Sequence, residues 1–225
     1  MRKFFVLIII LFSSNVMAHM DHYKKYNKIE MDIFRNGELI GYNYYFFTRK
    51  GNKTIVTNQI KFSVKILGAT IFQVEGYGEE RYLKDQLISY DSKTLQNEKE
   101  KFVNLVFNKE KNKFNIKGSS YSGTASINNI IGNWWSHKIL QTDSQISPIS
   151  GSIKEQVVTF IGREKIEQYG KIYEVDRFKL NSKDMSMKKD KRLDFDIWFD
   201  KKSSMIIRVS YSRMGNWEYR LRNFE

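Results

Sequence analysis

Apolar side chains fall at every second position along much of this chain, a period that favours extended, sheet-forming structure. Ile60, Phe62, Val64 and Ile66 alternate with Lys61, Ser63 and Lys65. In the last third, Leu193, Phe195, Ile197 and Phe199 alternate with Asp194, Asp196, Trp198 and Asp200, and Ile207, Val209 and Tyr211 alternate with Arg208, Ser210 and Ser212. Trp217, Tyr219 and Leu221 continue the pattern against Glu218, Arg220 and Arg222. Successive side chains of a strand point to opposite faces, so each run offers one apolar face to a core and one polar face to water. The charged positions read as a solvated ladder in which Glu218, Arg220 and Arg222 pair across strands with the aspartates.

Dipeptides that suit tight turns punctuate this alternation. Asn36-Gly37 fits a type I′ hairpin, and Gly51-Asn52 and Gly215-Asn216 fit Gly-first type II′ hairpins. They predict strands from Lys28 to Arg35, Glu38 to Arg49, Lys53 to Leu67 and, after a bend at Gly68, Thr70 to Leu83. The fold class is therefore mainly β, a single antiparallel sheet built as a meander.

One segment breaks the period. After a candidate cap at Ser126, Ile127, Ile130, Ile131 and Trp134 fall at i, i+3, i+4 and i+7, which predicts a short amphipathic helix across the sheet near Ile127 to Leu140. Gly132 opposes it by about 1 kcal/mol of helix propensity, and burial of the Ile and Trp stripe opposes that cost. Pro148 is the single proline and no low-complexity linker interrupts the chain, so residues 19–225 are expected to form one antiparallel β domain.

The first residues read as a targeting segment. Met1-Arg2-Lys3 is a basic start, Phe4 to Phe12 is unbroken apolar sequence, and Val16-Met17-Ala18 places small residues at a cleavage position. Nine apolar residues fall short of the ~20 that a membrane-spanning helix needs, so residues 1–18 are expected to be removed as a signal peptide. The expected destination is the periplasm or the cell exterior, and nucleic acid is not an expected partner there. With no cysteine, neither a lipid-anchored cysteine nor a disulfide framework is available, and stability must come from packing. Without Arg2 and Lys3, 36 basic side chains face 25 acidic ones, a surplus that favours an anionic envelope component such as lipid head groups, through peripheral rather than integral contact with the membrane.

Three features support a resemblance: the Asn36 to Gly41 stretch Asn-Gly-Glu-Leu-Ile-Gly entering a long strand, the segment containing Trp134, and the Trp198-Phe199-Asp200 hairpin near the C-terminus. Together they resemble uncharacterised exported bacterial β-sheet families, domains of unknown function with a "Gly-x-x-Ile-Gly" opening and a "Trp-Tyr-Asp, turn, strand" ending. Phe199 stands here in place of the tyrosine. Such families are architecturally similar to periplasmic lipoprotein carriers, which implies a strongly curved sheet, an open or half barrel, with a helix-covered apolar cavity. The resemblance carries no catalytic residue and no cofactor.

In such a scaffold Trp134, Trp135, Trp198 and Phe72 are candidate ligand-binding residues, for a lipid, a lipid anchor or another apolar or amphipathic envelope molecule. The competing expectation is an interaction module of the cell envelope whose aromatics fill a core. A third starts from cleavage after Ala18, which would leave His19 with a free α-amine. Amine and imidazole together suit copper, as in histidine-brace enzymes, with His22 or His137 as the second histidine. Hydrolytic chemistry finds little support. No Gly-x-Ser-x-Gly elbow surrounds Ser120 or Ser122, and Ser186 with Lys189 sits in a charged connection. Asp194, Asp196, Asp200 and Glu218 read as surface ladder rather than as a paired-carboxylate site.

Overall fold

The computed structural model describes residues 22–225; residues 1–18 and His19, the proposed signal segment and copper ligand, lie outside the described residues. The first half contains β1 (Lys28–Arg35), β2 (Glu38–Lys50), β3 (Lys53–Ile66), β4 (Ala69–Leu83), β5 (Gln86–Gln96), β6 (Lys99–Asn108), β7 (Lys113–Gly118) and β8 (Ser122–Ser126). The second half contains β9 (Ile130–Ile131), β10 (Ser144–Ile146), β11 (Ile153–Gln168), β12 (Lys171–Ser182), β13 (Asp194–Asp200), β14 (Met205–Ser212) and β15 (Asn216–Phe224). All join one sheet in the order β8-β7-β6-β5-β4-β3-β2-β1-β15-β14-β13-β12-β11-β10-β9. Every neighbouring pair is antiparallel except β9 with β10, so the sheet is mixed.

This order has a geometric consequence. The two edge strands, β8 and β9, are consecutive in the chain, and Ser126 and Ile130 are four residues apart. Four residues reach at most about 14 Å, so the fifteen-stranded sheet must curl until its edges approach each other. No ladder joins β8 to β9 among the described residues, and the curl stays open.

The early strands begin and end within two residues of their sequence expectation because turn chemistry and alternation agree there. Asn36 and Gly37 both take positive φ, 51° and 84°, as a type I′ turn requires. The Gly215-Asn216 expectation is corrected. Ser212 pairs with Asn216, so the loop is Arg213-Met214-Gly215, and Asn216 opens β15. The side-chain oxygen of Asn36 accepts the Asn216 N–H at 2.8 Å, and the Asn36 N–H donates to the Asn216 carbonyl at 2.7 Å, which seats Asn216 in the ladder.

The helix expected near Ile127 to Leu140 does not form. That stretch holds the two-residue strand β9, bends, and a 3-10 turn over His137–Leu140. Its asparagines bond elsewhere: Asn129 donates to the Ser126 carbonyl at 3.2 Å and Asn133 to Glu80 at 2.9 Å. Asparagine side chains compete with helical backbone bonds in this way, and Gly132 adds its own cost. Ile131 is buried in one apolar cluster while Ile130 packs on another, so the stripe serves two sides of a crossing segment rather than one side of a helix.

The charged ladder also differs from expectation. Asp196 pairs with Arg177 at 2.8 Å and Lys179 at 2.9 Å, and Asp194 with Lys179 at 2.6 Å, all across the β12–β13 ladder. Strand β14 separates the aspartates from β15, so Arg222 instead reaches Glu30 at 3.2 Å and Asp32 at 3.5 Å on β1.

The largest apolar cluster gathers Met31, Tyr45, Trp135, Ile197, Ile207 and Leu221 from both halves of the sheet. The β11–β12 hairpin bends at a register shift between Phe160 and Gly162 and folds back on it. At its tip, the Gln168 amide donates to the Ile207 and Leu221 carbonyls at 3.0 and 2.8 Å, and the Tyr169 hydroxyl donates to Asp32 at 2.6 Å. These two carbonyls sit where the β14–β15 ladder stops, just beyond Arg208 and Arg220.

Candidate binding cavity

The register of β2 to β5 stacks inward-facing side chains in layers. At one end Val64 faces Phe72, and below them Phe62 faces Val74, which pairs with Gln96. Deeper, Asn43 pairs with Ile60, Ile60 with Gly76 and Gly76 with Thr94; then Tyr45 with Asn58, Asn58 with Gly78 and Gly78 with Ser92. Glu80 comes last, beside Tyr90. Tyr211, Trp217 and Tyr219 close one side, the Ile131 to Trp134 segment another, and Pro148 and Ile149 a third.

These walls enclose a cavity of about 570 Å³, within the range of small-molecule sites. Its upper layers are apolar and aromatic: the Phe62 ring lies 5.9 Å from Phe72 and 5.4 Å from Trp217, centroid to centroid. Its deeper layers are polar. Asn58 donates to the Asn43 side chain at 2.6 Å, Asn43 donates to the Tyr45 hydroxyl at 2.9 Å, and that hydroxyl also accepts the Trp134 N–H at 3.1 Å. The arrangement suits a molecule that is apolar along most of its length and carries one polar group.

Glu80 is the carboxylate of the deep wall. Its carboxylate accepts from the Asn133 amide and the Trp135 indole, each at 2.9 Å, and from the Tyr82 hydroxyl. Burial disfavours its charged form and pushes its pKa up to about 7, against the pull of those three donors. The sequence reading passed over Glu80. The available signal was the run Phe72, Val74, Gly76, Gly78 and Glu80 at every second position, which places two glycines and a carboxylate on an apolar face.

Two of the four expected aromatic residues line the cavity. Phe72 stands at its apolar end, and Trp134 forms part of a wall while its ring packs 5.1 Å from Phe195. Trp135 lies behind that wall, fully buried, edge-on to Tyr23 at 5.1 Å and to Phe47 at 5.4 Å. Trp198 sits away from the cavity beneath Arg177 and Arg208, with its indole donating to Glu164 at 2.5 Å. Its alternation with Ile197 and a bulge at Trp198/Phe199 turn it away from the cavity, where it is buried as part of the largest apolar cluster.

The rings of His22 and His137 lie edge to face with centroids 5.3 Å apart. His137 Nδ1 is 2.7 Å from the Tyr23 hydroxyl, and burial lowers the imidazole pKa to about 4. No group of three His, Cys, Asp or Glu side chains suited to a metal occurs among the described residues. Ser186 bonds to Asp184 at 2.7 Å.

Comparison with solved structures finds a beta-barrel-like protein of domain of unknown function DUF1849 from Brucella abortus, with a TM-score of 0.60 over 89% of this chain and 97% of that one. At 8% identity the likeness is one of fold. No curated protein matches the sequence. The family model for the domain of unknown function DUF6134 matches residues 31–222, nearly the whole described sheet, and the chain belongs to that family.

Proposed function

We propose that this protein binds an apolar or amphipathic envelope molecule, a lipid or a lipid anchor, in the cavity enclosed by β2 to β5. One observation carries the reading: a cavity of about 570 Å³ with an aromatic upper half and a hydrogen-bonding lower half. Closely packed interiors hold few voids larger than a water molecule, so space of this size within an apolar wall favours an occupant. Burial of one apolar chain along Phe62, Phe72 and Trp217 supplies affinity, and the Asn43, Asn58 and Tyr45 network supplies orientation. Export through residues 1–18 to the periplasm belongs to the same proposal and rests on the basic start and apolar run of that segment.

Native mass spectrometry of protein isolated from its host tests this reading. The wild type is expected to carry a co-purifying amphiphile, and Val64→Trp, which fills the apolar end, is expected to lose it while keeping its fold. Wild-type protein that arrives empty and takes up no fluorescent fatty-acid probe defeats the proposal.

A further inference from the structure

The end of the curled sheet that carries the cavity's apolar layers is ringed by exposed apolar side chains. Because consecutive strands are antiparallel, the β1–β2, β3–β4, β12–β13 and β14–β15 connections all lie at this end. Direct contacts agree: Arg35 donates to the Met214 carbonyl, and Arg213 donates to the Arg192 carbonyl at 3.0 Å. Leu67 at the tip of β3–β4 is 102% exposed, and Met214 at the tip of β14–β15 is 87% exposed. Ile71 and Ile149, also exposed, line the cavity beside them, as does Met214 itself.

The backbone at these tips gives a second, independent observation. Leu67 and Met214 hold φ of 49° and 51°. Elsewhere in this sheet Asn36, Asn97 and Asn112, the residue type that tolerates it, hold that left-handed conformation, and Lys84, Tyr169 and Ser204 hold it with side chains that carry a polar group. A leucine and a methionine there gain neither turn chemistry nor burial within the chain. Strained backbone persists where something else selects the side chain.

The charge around the ring identifies its counterpart. Arg35 and Arg213 stand at the mouth, and the neighbouring connection holds Lys183, Lys188, Lys189, Lys191 and Arg192 against Asp184 and Asp190. Apolar tips set among an excess of cations complement the interface of an anionic bilayer. We infer that this rim docks onto anionic membrane surfaces, with Leu67 and Met214 inserting among the acyl chains and the basic residues facing head groups. The contact is peripheral, and it places the cavity mouth against the lipid.

Vesicle sedimentation of the purified protein tests the inference without requiring that the cavity bind anything. The wild type is expected to sediment with vesicles of phosphatidylcholine mixed with phosphatidylglycerol, much less with phosphatidylcholine alone, and less as salt rises. Leu67→Asn with Met214→Asn relieves the turn strain, so the variant folds, yet loses at least about tenfold in vesicle affinity. Ile172→Asn, exposed at the opposite end, and Val64→Trp, inside the cavity, are expected to bind like the wild type. Equal binding by the rim variant, no binding by the wild type, or capture of a protein through this rim without any vesicle binding overturns the inference.

Discussion

The indole N–H of Trp135 donates to Oε1 of Glu80 at 2.9 Å, tying the crossing segment to the wall of the cavity. This bond lies behind the polar layers, where burial raises the Glu80 pKa from 4.5 to about 7. Between those values the folded chain keeps a proton that the unfolded chain has released. The contribution of Glu80 to stability is therefore whole below pH 4.5 and declines as pH rises through 7, by about 3 kcal/mol in all. Glu80→Gln imitates the protonated group and should remove that decline. Urea unfolding at pH 5 and pH 8 measures it, and identical pH slopes in both proteins would contradict the assignment.

His137 works in the opposite direction. Burial, with His22 and Lys138 nearby, lowers its pKa from 6.5 to about 4, so the unfolded chain takes up a proton first as the medium is acidified. Its contribution is present above pH 6.5 and is lost as pH falls through 4. The Glu80 and His137 windows overlap and oppose each other, so changing His137 to Gln is expected to remove the loss on acidification and to leave the Glu80 decline between pH 4.5 and 7 standing alone in the melting temperature. A melting temperature whose pH dependence matches the wild type would contradict the assignment.

Gln168 bridges two carbonyls at the point where β14 and β15 part. Truncation leaves the Ile207 and Leu221 oxygens without that donor in a buried setting, which costs about 2 to 4 kcal/mol. Gln168→Ala should lower the denaturation midpoint accordingly and speed amide exchange along β14. A change within about 0.5 kcal/mol would mean that water replaces the amide.

The sequence was most readable where two independent signals coincide. Asn36-Gly37 between alternating strands set both the turn and the register, so β1 appears on the residues expected of it. The Ile127 to Trp134 stripe had helical spacing but lacked supporting chemistry, since Asn129 and Asn133 had better partners in Ser126 and Glu80 than a helix offers. Trp134 and Phe72 reached the cavity, whereas Trp135 and Trp198 are buried in the apolar core, because aromatic residues look alike in sequence and only strand register separates cavity wall from packed core. Glu80 escaped notice for the same reason. Its immediate neighbours Glu79 and Arg81 are charged, so its inward direction shows in the sequence only as the end of the every-second-position run from Phe72, a direction that its pairing with Val56 fixes.

The Asn-Gly-Glu-Leu-Ile-Gly stretch has a physical basis that permits a sharper test. Ile33 pairs with Gly41 while Phe34 pairs with Leu39, so Ile40 is the extra residue of a bulge where β2 leaves the first hairpin. Across the next ladder Gly41 faces Phe62, whose ring lines the cavity, and a Cβ at position 41 would fall on the Lys61 carbonyl and the backbone of Phe62. Backbone cannot yield there as a flexible side chain would, so Gly41→Ala is expected to cost about 2 to 4 kcal/mol and to displace Phe62 from the cavity wall. Gly162 offers the matched control: it also sits at a bulge, but an added Cβ meets nothing within 4 Å, and Gly162→Ala should stay within about 0.5 kcal/mol of wild type. Thermal unfolding of the two variants side by side separates close backbone approach from mere irregularity of the strand, and equal stabilities would show that the β2–β3 contact tolerates a side chain.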